Sequence, residues 1–195
     1  MFGLKLKLSL GRLSEIGPIL RRFFINTLFD STFMQLGILI GSGFAASPNL
    51  RLLIGTLISS SIALGISTGV SVYESETLER ERRTVELEKA LFRKLDKTKL
   101  AENYRNYAKI LSIINFVTPL ACCGIMIMPL VAAFFHLLDQ STASWFSIVL
   151  ALGILFTAGV YFGRYGKQNP IRKGLRMVGF GVIAFAAGYL IQILF

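Results

Sequence analysis

Asp30 lies inside an apolar run that opens at Phe23, and Met34 follows it four residues later. On a helix, Asn26, Asp30, Met34, Gly37 and Gly41 share one stripe, because steps of three and four return to the same face. Asp30 and Met34 together offer a cation one hard and one soft donor. A carboxylate roughly a third of the way into a bilayer is too deep to reach water comfortably, and such a residue is by default a functional candidate. The competing reading is a hydrogen bond to Asn115 or to a serine that only ties two helices together.

A second series runs Ser60, Ser67, Glu74, Glu81 and Glu88, spaced by seven, with Ser71 beside it. It puts hydroxyls in the membrane and carboxylates beyond it, a pattern that suits a cation path with an acidic mouth. Leu78, Val85 and Phe92, with Leu95 further round, form an apolar stripe on the same side. Glu76, Glu79 and Glu86 fall on the other side, with Arg80, Arg82, Arg83 and Lys89 three or four residues on, so they read as exposed ion pairs. Glu74, Glu81 and Glu88 have no basic residue at those spacings. They need a positive charge from elsewhere, either a metal ion or the basic residues of a second chain in a coiled pairing.

Softer donors cluster in Cys122, Cys123, Met126 and Met128. Thiols and thioethers suit Cu(I), but they also fill membrane cores, and core filling is the preferred reading. His136 and Asp139 are too few for a site. With one His and no Cys-x-x-Cys, tetrahedral zinc has little support. Two adjacent cysteines make no disulfide framework. No nucleophile–base pair or prosthetic-group motif occurs, so an enzyme is not expected.

The elements that must position these residues are membrane helices. The 195 residues are 53% hydrophobic and only 16% charged, with a mean hydropathy of +0.61. Runs long enough to span occur at 23–46, 50–73, 110–138, 145–163 and 175–195, each near the roughly 20 residues a bilayer core requires. The alternating ten-residue segments of a membrane barrel are absent. The expected fold is all-α, with five transmembrane helices and a helical cytoplasmic extension between the second and third. The segments are 1–22, an amphipathic stretch on the headgroups; 23–73, the first two spans; 74–109, the charged extension; and 110–195, the last three spans.

The net charge of +10 suggests nucleic acid until its placement is read. All of the 21 Lys and Arg except Arg51 fall before the first span, between spans two and three, or around the link between four and five. The positive-inside rule then sets the N-terminus in the cytoplasm and the C-terminus outside, in an inner or plasma membrane, with the basic clusters against anionic lipid headgroups. No Gly or Pro interrupts the chain from Val70 until Pro119, so the second helix can run from Arg51 to about Leu95, roughly 65 Å. A turn at Asp96-Lys97-Thr98-Lys99 and a helix over 100–109 would lead back. Further turns are expected at Ser47-Pro48-Asn49 and Gln168-Asn169-Pro170. Pro119 and Pro129 should bend span three. Gly37-x-x-x-Gly41, Gly65-x-x-x-Gly69 and Gly159-x-x-x-Gly163 read as close helix contacts.

Three stretches, "RRFFINTLFDSTFMQLGILIGSG", "GISTGVSVYESETLERERRTVELEKALFRKL" and "GVYFGRYGKQNPIRKGLRMVGFGVIAFAAGYLIQ", resemble the vacuolar iron transporter family, especially its short prokaryotic members. The resemblance covers the chain from about Arg21 to its end. It implies a homodimer of five-helix protomers, a metal path between the first spans, and an acidic cytoplasmic region that gathers Fe2+ or Mn2+. It also implies export against protons. Asp30 matches the family's intramembrane aspartate. Plant and parasite members read "SMAAGEYIS" in span two, where this chain has Ser67 through Ser75, with Thr68 in place of the Met and Val72 in place of the Glu.

The expectation is therefore a dimeric, proton-coupled exporter of Fe2+ or Mn2+. Asp30, Met34, Ser67 and Ser71 would line its membrane path, and Glu74, Glu81 and Glu88 its cytoplasmic mouth. The alternative is a non-transporting dimeric sensor or scaffold that kept the fold and lost the full membrane site.

Overall fold

The computed structural model describes residues 2–43, 49–92, 99–165 and 169–194, and their side chains except at 2–16, Leu87, Leu91 and 99–106. Five helices make up these residues: α1 Phe2–Gly43, α2 Leu50–Leu91, α3 Lys99–Phe134, α4 Gln140–Tyr165 and α5 Pro170–Leu194. Each holds a stretch long and apolar enough to cross a membrane. No strand occurs among the described residues. The all-α, five-span expectation is met.

Helix ends follow local chemistry. Asn49 caps α2: its carbonyl accepts from Leu53 N at 2.9 Å, and its Oδ1 accepts from Leu52 N at 3.2 Å. Pro170 opens α5, where its missing N–H costs nothing, and Lys173 N donates to Asn169 O at 3.2 Å. At the end of α3, His136 takes φ 59°. Its N–H reaches Ala133 O, and Leu137 N reaches Ala132 O, each at 3.0 Å. These are the two bonds of a left-handed helix stop, with His136 in the place glycine usually takes. His136 thus has a structural duty.

The expected turn residues Ser47, Pro48, Asp96, Lys97, Thr98 and Gln168, and the stripe's Leu95, lie outside the described residues. α1 runs from Phe2 through Pro18 into the first span, and α3 runs from Lys99 into the third.

The chain divides into two compact units, one of residues 1–27 and 65–117, the other of 28–64 and 118–195. In the first, α2 lies against α3 through its glycines: a Cβ on Gly65 would stand 2.7 Å from Phe116 O, and one on Gly69 would stand 3.3 Å from Ser112 O. Val72, Ala108 and Leu111 are buried there. In the second unit, Leu36, Leu39 and Ile40 of α1 share a core with Leu53, Leu57, Cys123, Met126, Leu130 and Ile148. Its α4 and α5 form an antiparallel hairpin closed by glycines, with Gly163 on Pro170, Gly159 on Gly174, and Gly181 on Leu152 and Leu155. Two of the three small-residue pairs therefore make close packing contacts within the chain.

Candidate metal centre

The stripe lies on the exposed side of α1. Asn26, Asp30, Gly37 and Gly41 are exposed and Met34 is half-buried. Thr27, Ser31, Thr32, Gln35, Leu36, Leu39 and Ile40 bury the opposite face. A Cβ on Gly37 or Gly41 would meet nothing within 4 Å. Asp30 makes no hydrogen bond or ion pair with any described residue.

Asn115 is not its partner. Asn115 is fully buried, its Oδ1 accepts from Thr27 Oγ1 at 2.6 Å, and its Nδ2 donates to Leu111 O at 2.8 Å. The helix-tying alternative for Asp30 through Asn115 is thereby removed. Asn115 has a second duty, which the sequence hinted at through Pro119. Proline has no N–H to give the carbonyl four residues back, and Thr68 Oγ1 donates to Asn115 O at 3.2 Å instead.

On α2 the structure reverses the expected faces. Leu78, Val85 and Phe92 are 59%, 48% and 98% exposed. The protein-facing row is Gly65, Gly69, Val72 and Glu76. Glu76, expected at the surface, is buried and pairs with Arg80 at 3.3 Å; the guanidinium carbon also lies 6.0 Å from the centre of the Tyr107 ring. Glu79 and Arg83 form the expected exposed pair at 3.1 Å. No ion pair joins Glu86 to Lys89. The glycines decide the matter: they let α3 approach one side of α2, and the residues one or two turns along that side are buried with them.

Ser67, Ser71, Glu74 and Glu81 are exposed on the other side, while Ser60 and Glu88 are half-buried. Ser60 Oγ donates back to Thr56 O at 2.6 Å. Val72, which stands where the resemblance places a glutamate, is 4% exposed. Among the described residues no three His, Cys, Asp or Glu side chains converge to hold a metal.

The thiols and thioethers divide. Cys123 and Met126 belong to the second unit's core, and Cys123 Sγ lies 3.5 Å from Leu57 O as a donor. Met128 is 70% exposed and apart from them. Gln35 was not singled out by sequence. It is fully buried, and its Nε2 donates to Ser61 Oγ at 2.9 Å and Pro119 O at 3.1 Å. The available signal was a lone amide on the face of α1 opposite Asp30.

Residues 114–192 match the model of the VIT family. The chain is also 28% identical over 165 residues to an uncharacterized protein of Methanocaldococcus jannaschii, covering 85% of this chain and 84% of that one.

Proposed function

We propose that this chain, a member of the VIT family and a multi-pass membrane protein, carries a divalent transition-metal ion out of the cytoplasm in exchange for protons. The observation that supports this most is the outward-facing Asp30. It sits with Met34 on a stripe where Asn26, Gly37 and Gly41 are exposed.

A carboxylate at membrane depth needs company, and glycines beside it let another helix come close. A two-fold homodimer through α1 would supply both, because such an interface sets the same patch of each copy against the other. Two aspartates and two methionines would then flank one path, a mixed donor set suited to Fe2+ or Mn2+. The exposed hydroxyls of Ser67 and Ser71 would extend the path, and Glu74, Glu81 and Glu88 would gather the ion at the cytoplasmic mouth. Asp30 would alternate between a carboxylate holding metal and a neutral acid holding a proton, which couples the two flows in opposite directions.

Reconstitution tests this. Wild-type protein in proteoliposomes should move Fe2+ or Mn2+ together with a change in lumenal pH, and Asp30→Asn should reduce both to the empty-vesicle level. Unchanged flux in Asp30→Asn would remove Asp30 from the path. Metal binding without flux in the wild type would instead favour a sensor or scaffold.

A further inference from the structure

In the second unit, near the Asn49 end of α2, a groove of about 370 Å3 opens between α2 and α3. Ile54, Gly55, Val131, Phe134 and Phe135 line it, and Arg51 is its one charged member. A Cβ on Gly55 would meet no atom within 4 Å, so glycine keeps this part of the groove open. Phe135 is 67% exposed. The guanidinium of Arg51 stands over the Phe134 ring, 5.7 Å from its centre. It makes no ion pair with any described residue. Arg51 is also the one cation of the sequence outside the three basic clusters.

Arg51 is the second residue of α2, at the boundary of a spanning segment, and Ile54 and Gly55 continue the same face one turn deeper. A cation at the edge above a hydrocarbon furrow complements a molecule with an anionic head and an apolar tail. A guanidinium offers paired N–H groups that fit two phosphate oxygens at once, and the ring beside it helps hold its plane. The furrow offers an acyl chain contact along apolar walls. We propose that this groove binds one anionic phospholipid of the leaflet at the Asn49 end, with its phosphate on Arg51 and one acyl chain along Ile54, Gly55, Val131 and Phe135. A net negative lipid is preferred because no carboxylate of the described residues neutralises Arg51. The proposal does not depend on transport.

Native mass spectrometry of the full chain, with phosphatidylglycerol or phosphatidylcholine of equal chain length, tests it. The wild type should retain one phosphatidylglycerol per chain after activation and hold phosphatidylcholine less well. Arg51→Gln should weaken phosphatidylglycerol retention roughly tenfold, the scale of one charge-assisted hydrogen bond. Gly55→Phe should lose both lipids, and Gly55→Leu repeats that test with a smaller side chain should the larger one unfold the protein. Equal phosphatidylglycerol retention in the wild type, Arg51→Gln and the folded Gly55 variant would overturn the proposal. So would equal retention of the two lipids by the wild type. Loss of dimer mass in the Arg51 and Gly55 variants, without any lipid change, would assign the groove to a second copy and overturn it as well.

Discussion

Glu76 and Arg80 face each other at 3.3 Å with side chains only 10% and 15% exposed, whereas Glu79 and Arg83 meet at 3.1 Å with 54% and 69% exposed. Both pairs have the i,i+4 spacing that a sequence displays, and that spacing correctly joined the partners. Their worth differs because solvent screens the second pair and not the first. Glu79→Ala should cost less than about 1 kcal/mol. Glu76→Ala should cost more, up to roughly 3 kcal/mol, because it takes the carboxylate from a mostly buried guanidinium. Thermal melting in detergent distinguishes them, and equal melting points would show that Glu76 is not the anchored acid. Asp30 is the opposite case, a carboxylate with no hydrogen bond or ion pair among the described residues, and its test is flux rather than stability.

Between whole helices, the three small-residue pairs behave in two ways. Gly65→Ala should destabilise the fold by about 1–3 kcal/mol, since its Cβ would lie 2.7 Å from the Phe116 carbonyl oxygen. Gly37→Ala should not destabilise the single chain, because nothing lies within 4 Å of that Cβ. Gly37→Leu should instead weaken the proposed dimer, seen as a loss of dimer in cross-linking or sizing experiments while melting of the remaining fold persists. A Gly37→Leu protein as dimeric as the wild type would place the interface elsewhere. The sequence showed all three pairs as equivalent, since a Gly-x-x-x-Gly pattern reports a smooth face and not what approaches it.

At the scale of the whole chain, charge should set orientation. All Lys and Arg except Arg51 belong to the N-terminal segment and to two of the four links. A reporter fused after Phe195 should therefore be active only outside the cytoplasm, and one fused before Met1 only inside. The reverse pattern would turn the proposed direction of transport around, with Glu74, Glu81 and Glu88 at the outer mouth.

The sequence by itself determined the number of spans, two of the three expected ion pairs on α2, and the odd position of Asp30. These depend on local composition and short periods, which any stretch carries within itself. Tertiary structure alone decided that Asp30 faces outward, that Asn115 belongs to Thr27, and that Glu76 rather than Leu78 turns inward on α2. The physical reason lies in the membrane. In water a polar side of a helix marks its solvent face, but lipid is as apolar as a protein core, so hydropathy within a span does not say which side packs. On α2 the answer came from Gly65 and Gly69 meeting Phe116 and Ser112, a contact between residues far apart in the chain.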